Sequence, residues 1–161
     1  MVPTIVPPVT IYLVRHAHAG TRGEWPDGDD LRPLSKRGTQ QAIHVATVLG
    51  DRPIKRLYSS PSRRCLDTLR PLADRLGLDI KQRTELFEGA DPNQAIAFMM
   101  KQAGHNPAFS THGDLIPQIV RRLIAAGMRT TDANISQKGS VWELEVRKGS
   151  VVAGRYHPPS T

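Results

Sequence analysis

A chain of 161 residues, 39% of them hydrophobic, can build one sizeable core but not a second full domain, so residues 1–161 are read as a single domain. Its 22 basic residues against 15 acidic give a net charge of +7, which favours anionic partners, while an aromatic content of 5% argues against base-stacking recognition of nucleic acid. The single cysteine, Cys65, excludes a disulfide framework and a cysteine-cluster metal site, and fits a reducing, cytoplasmic setting.

The start, Met1 to Val14, is apolar but carries Pro3, Pro7 and Pro8 and has no basic residue before Arg15, unlike a secretory leader. No apolar run approaches the roughly 20 residues needed to span a bilayer, so no membrane partner is expected. Thr10 to Val14 is a run of β-formers, apolar almost throughout, as in a strand buried on both faces of a parallel sheet; it ends directly in Arg15-His16. Ala19 to Pro33, rich in Gly, Asp and Pro, reads as a long loop of the kind that is often functional. A helix is predicted from about Ser35, with Ala42, Val45, Ala46 and Leu49 on one face and Gly50 at its end. Ile54 to Ser59 is a second strand, and Ser60-Pro61 resembles an N-cap followed by proline at the first helical position. The helix that follows repeats Cys65, Leu66, Leu69, Leu72, Ala73 and Leu76 at helical spacing up to Gly77, with a kink predicted at Pro71. Ile80 to Thr84 is a short strand, Asn93 to Ala103 a helix closed by Gly104, and Ala108 to Thr111 a strand leading to His112-Gly113-Asp114. An amphipathic helix begins near Asp114, and Val141 to Arg147 with Val151 to Tyr156 forms a hairpin. This alternation predicts an α/β fold: a three-layer α/β/α sandwich around a mostly parallel central sheet, with its site at the strands' carboxyl ends.

Arg15 and His16 follow the first strand, Arg64 lies one turn into the helix after the second, and His112 follows a later strand, so the topology brings them together. Such a pocket suits a phosphoryl group: guanidinium forks bind its oxygens bidentately, and helix N-termini add backbone donors. A neutral imidazole at His16 attacks phosphorus if its other ring nitrogen is held as N–H, and the arginines with a protonated His112 stabilise the equatorial charge with neither metal nor cofactor. An acid must protonate the leaving oxygen; Glu88 and Glu85 are the candidates. Arg22 and Trp25, in the long loop beside the nucleophile, are candidates for contacting the leaving group. Arg63 reads as a solvated neighbour of Arg64, and His105 as part of the connection leaving a helix.

Leu13-Val-Arg-His16, Leu34-Ser with Gly38 and Gln41-Ala42, Ser59-Ser-Pro61 with Arg64 and Thr68, and Thr111-His-Gly113 stand in an order and spacing that resembles the histidine phosphatase superfamily, also called phosphoglycerate mutase-like. The resemblance implies His16 as nucleophile, Arg15 and Arg64 as pocket arginines, His112 as second histidine and Glu88 as acid. Ala17 stands where the motif usually has glycine. Arg64 and His112 are only 48 positions apart, leaving no room for a large cap insert, so the chain is similar to the compact SixA-like phosphohistidine phosphatases and to phosphatase domains fused to Nudix hydrolases. The implied substrate is a phosphorylated protein, phosphohistidine included, or a small phosphorylated metabolite.

Three other readings compete. A metallohydrolase could draw ligands from His16, His18, His112 and Asp114, but barrel enzymes with such motifs need about 250 residues. A phosphomutase lacks its insert, and a non-catalytic phosphate- or nucleic-acid-binding module rests on charge alone. A cysteine-dependent phosphatase would need Cys-x5-Arg, and position 71 is proline. The sequence carries no signature of a particular oligomeric state.

Overall fold

The computed structural model describes residues 8–160. The stretch before Pro8, part of the segment contrasted above with a secretory leader, lies outside the described residues. In chain order the elements are β1 (Val9–Arg15), α1 (Lys36–Leu49), β2 (Arg56–Ser59), α2 (Arg63–Leu76), β3 (Ile80–Gln82), α3 (Pro92–Gln102), β4 (Pro107–Thr111), α4 (Leu115–Ala125), β5 (Val141–Arg147) and β6 (Ser150–His157). They form one six-stranded sheet in the order β3-β2-β4-β1-β5-β6. Its β1–β4, β2–β4 and β2–β3 pairings are parallel, and β5 is antiparallel to both neighbours.

The alternation of β1 explains its unbroken apolar character. Ile11 and Leu13 point into a core with Phe109, Leu115, Ile119 and Trp142, under α3 and α4. Tyr12 and Val14 point into the opposite core with Val45, Leu49, Leu57, Leu69 and Leu72, under α1 and α2. Side chains two apart share a face, so a strand covered on both sides must be apolar at every position. This is the α/β/α layering expected, and no large insert interrupts it.

Three local expectations change. The N-cap of α2 is Ser62, not Ser60, and Pro61 stands outside the helix. The reason is that the Ser60 hydroxyl faces His112 instead of serving as the cap. α2 holds Pro71 within its span, as the sequence places it. Gly104 does not close α3; a 3-10 turn over Ala103–His105 follows, and Asn106 takes the left-handed conformation, φ 49°. β3 stops at Gln82, because Thr84–Leu86 forms another 3-10 turn that carries the chain over the sheet edge.

Candidate active site

Parallel pairing places the ends of β1 and β4 side by side: Arg15 is in register with Thr111, and His16 N–H donates to the Thr111 carbonyl at 3.0 Å. The residues that follow, His16 and His112, therefore face each other edge-on, with ring centroids 5.5 Å apart. Arg64 enters from the first turn of α2, and Glu88 from the loop after β3.

His16 is buried, and its Nδ1 lies 2.8 Å from the Ala17 carbonyl oxygen. A carbonyl only accepts, so Nδ1 carries the proton and Nε2 keeps its lone pair. Burial is the main force lowering the ring pKa to about 3, opposed by the Ala17 carbonyl; the positive charge around His112, Arg64 and Arg15 lowers it further. The ring is thus neutral near pH 7. Ala17 itself is anchored by its N–H donating to Thr68 Oγ1 at 2.8 Å, and the Thr68 hydroxyl in turn donates to the Arg64 carbonyl. Ala17 does not have a positive φ, so the side chain in place of the usual glycine costs the turn nothing.

Arg64 has no exposed surface. One of its terminal nitrogens donates to the Asp29 carbonyl at 2.9 Å, and the other to Glu88 Oε2 at 3.2 Å while facing His112 Nδ1 at 3.4 Å. Because a guanidinium only donates, His112 Nδ1 is the acceptor and its Nε2–H points to Ser60 Oγ, 2.8 Å away. Burial, with Arg64 beside it, lowers His112 to about 4. Desolvation next to a guanidinium thus favours the neutral ring, so the protonated His112 expected from the sequence needs added negative charge beside it. Glu88 is clamped by Arg22 and Arg64, and Arg22 foremost holds its carboxyl below the usual range.

Arg15 is gripped from another direction. Its guanidinium donates to the Ser136 carbonyl at 2.6 Å and lies where a Cβ on Gly113 would collide with it. The Nε–H groups of both Arg15 and Arg64 are buried with no partner among the described residues. Each guanidinium thus keeps a buried donor without a partner among the described residues, and such donors suit an oxyanion ligand.

Arg15, His16, Arg64, His112, Glu88 and Arg22 thus form one site. Trp25 is set apart, in a separate hollow lined with Ala19, Glu24, Arg32 and Leu34. Glu85 pairs with Arg83, and Arg63 with Asp67. His105 lies at the amino end of β4, the opposite end of the strand from His112. Cys65 is buried, and burial pushes its thiol up to about 12, far from a nucleophilic thiolate. The metal-ligand set proposed by the rival reading is dispersed: His18 Nδ1 faces Ser35 Oγ, and the Asp114 carboxylate accepts from the Gly89 N–H.

Sequence reasoning missed three contributors. Asp29 anchors Arg64, Ser60 orients His112, and the irregular segment 126–140 holds Arg15. The Asp-Gly-Asp-Asp run at 27–30 in a long loop was a usable signal for the first. Ser60 is flagged within Ser59-Ser-Pro61 but reads as a helix cap, and segment 126–140 carries no signal.

Comparison with known proteins accords with this geometry. The family model for the histidine phosphatase superfamily (branch 1) matches residues 11–90, and the chain belongs to that superfamily. It is 32% identical over 155 residues to an 8-oxo-(d)GTP phosphatase of Mycolicibacterium smegmatis, covering 93% of this chain and 48% of the relative. A 2,3-bisphosphoglycerate-dependent phosphoglycerate mutase of Thermoplasma acidophilum is 35% identical over 78 residues, 47% of this chain and 39% of that protein. The chain spans about half the length, or less, of these curated relatives. Among solved structures, SixA from Nakamurella multipartitia superposes with a TM-score of 0.77 at 19% identity, over 98% of this chain and 100% of the other. A protein histidine phosphatase SixA complexed with tungstate gives 0.73 at 19% identity, over 93% and 95%. At these identities the structural matches speak for the fold.

Proposed function

We propose that the chain is a metal-independent phosphohydrolase that works through a phosphohistidine on His16. The observation that carries this reading is the His16 ring itself: neutral, with Nδ1–H committed to the Ala17 carbonyl and Nε2 free, beside two arginines with unpartnered donors. Names among the relatives, an 8-oxo-(d)GTP phosphatase and a SixA bound to the tetrahedral oxyanion tungstate, support it. The substrate class is a phosphorylated protein side chain or a small phosphorylated metabolite. Among the described residues no helix is long and apolar enough to cross a membrane.

In the first step the His16 Nε2 lone pair forms a bond to phosphorus in line with the breaking bond to the leaving oxygen, which takes a proton from Glu88. Charge on the equatorial oxygens is met by Arg15 and Arg64, and by His112 once the dianion has raised its proton affinity. The phosphorylated ring is cationic, and the Ala17 carbonyl steadies its Nδ1–H. Water then attacks phosphorus and gives a proton to Glu88, the P–N bond breaks, and neutral His16 returns. Glu88 begins as an ion-paired carboxylate, so its acid role requires the substrate to change its surroundings. An entering phosphoryl group competes for Arg64 and brings negative charge close, and both effects raise the carboxyl pKa.

Rapid quenching of turnover with a labelled phosphoester, in excess chelator, tests the reading. A phosphoryl group labile to acid, stable to base and located on His16 is expected, with none on the His16→Ala variant. Recovery on Cys65 or a serine, or loss of turnover that added zinc or magnesium restores, overturns it.

A further inference from the structure

Beside Arg15 lies a cleft of about 530 Å³ walled by Arg15, His18, Arg37, Gln41 and Lys138, with Gln137, Pro159 and Ser160 completing its lining. Its charge is unlike the rest of the site. Arg22, Arg32 and Arg64 are each paired with Asp29, and two of them also with Glu88. By contrast Arg15, Arg37 and Lys138 make no ion pair among the described residues. Three cations gathered with no ion-pair partner among the described residues repel one another, an arrangement that an anionic ligand relieves.

The cleft is also built rather than incidental. The turn carrying Lys138 is bonded to the nucleophile segment on several sides: Gly139 N–H donates to the Arg15 and His16 carbonyls, Arg15 N–H to the Ser140 carbonyl, and the Arg15 guanidinium to Ser136. Gly139 adopts φ 81° and packs against Gln41, where a Cβ would crowd the glutamine side chain. Gln41 Oε1 is occupied by the His18 N–H, so its amide NH2 is left to donate. Burial first, and then Arg15, Arg32 and Arg37, lower the Lys138 pKa, as expected for a cation held close to others.

We propose that this cleft is a subsite for a second phosphate group of the substrate, so that the chain prefers small molecules carrying two phosphates within reach of Arg15. The inference rests on the phosphohydrolase reading and narrows it. Arg15 is the shared wall: it meets the transferred phosphoryl group on one side, and Lys138, Arg37 and the Gln41 amide receive the second group on the other. A concave space of a few hundred Å³ suits a small ligand, whereas a protein substrate would be met by a flatter, more open surface.

The test compares orthophosphate with pyrophosphate as competitive inhibitors of para-nitrophenyl phosphate hydrolysis at fixed ionic strength, with an acidic phosphopeptide as third ligand. Pyrophosphate is expected to bind the parent protein about tenfold or more tightly than orthophosphate, the gain of one well-placed charged contact. That ratio should fall toward one in Arg37→Ala/Lys138→Ala. Lys101→Ala removes a charge from the last turn of α3, at the opposite end of the sheet, and should keep the ratio. A ratio near one in the parent, a ratio kept by the double variant, or a phosphopeptide bound more tightly than pyrophosphate overturns the subsite. Absence of both turnover and orthophosphate inhibition would instead overturn the phosphohydrolase reading.

Discussion

Glu88 shows how much a single residue's role depends on its partners. The resemblance implies an acid at Glu88, after a Leu-x-Glu pattern, yet the structure finds its side chain between Arg22 and Arg64, with Glu85 turned away to Arg83. Replacing it with glutamine removes the transferable proton while leaving a similar shape. Glu88→Gln is expected to slow alkyl phosphates by about 10²–10⁴-fold while affecting aryl phosphates far less, since general acid help scales with the need of the leaving oxygen. Parallel kcat measurements on the two substrate types check this, and equal losses would assign Glu88 to positioning. Arg22 is part of the same balance, because its guanidinium is the largest single influence keeping the carboxyl ionised.

At the scale of elements, two glycines separate folding from function. Gly38, in the first turn of α1, lies so close to the His18 backbone that a Cβ would overlap its carbonyl oxygen. This approach lets Ser35 cap the helix while its N–H and hydroxyl both reach that same carbonyl. Gly113, after β4, instead leaves space for the Arg15 guanidinium. Gly38→Ala meets rigid backbone and is expected to cost stability in the upper part of the roughly 1–3 kcal/mol range typical of overpacking. Gly113→Ala meets a flexible side chain, so it should fold nearly as well but lose kcat/KM, on the order of 10²-fold for a displaced binding group. Urea unfolding beside phosphatase kinetics distinguishes the two. Activity loss with normal stability in Gly38→Ala would contradict the assignment.

For the molecule as a whole, burying the two histidines of the proposed active site is expected to bring sensitivity to acid. His16 and His112 sit near 3 and 4 in the folded protein because burial disfavours their charged forms, against about 6.5 when unfolded. Between those values the unfolded chain binds more protons than the folded one, so stability rises with pH. The contribution is complete above about pH 6.5 and is lost as pH falls toward 4 and 3. Urea midpoints measured from pH 7.5 to 4 are expected to fall in that window, and to fall less steeply in His16→Gln. An unchanged slope in that variant would show that the ring does not titrate as the geometry requires. Paired carboxylates such as Asp29 and Glu88 also lose stabilising charge, but at lower pH, since their partners hold them below the usual carboxylate range.

What the sequence by itself determined were the features encoded over short distances. The β1 run ending in Arg15-His16, the Ser35 cap and periodic face of α1, the register of Arg64 with Thr68 on α2 and the position of His112 between strand and helix all follow from local pattern, because periodicity and caps act over a few residues. The layered α/β architecture and most of the pocket's membership were legible for the same reason. Tertiary structure alone decided what depends on groups far apart in the chain. It turned Ser60 from a helix cap into a partner of His112, left Nε2 of His16 with its lone pair by aiming Nδ1 at a carbonyl, and lowered the His112 pKa by burying it beside Arg64. It set Trp25 apart from Arg22 and clamped the featureless segment before β5 onto Arg15, bringing Lys138 to the site's edge. Burial and charge at a point are sums over everything that packs around it, and no local stretch of sequence contains that sum.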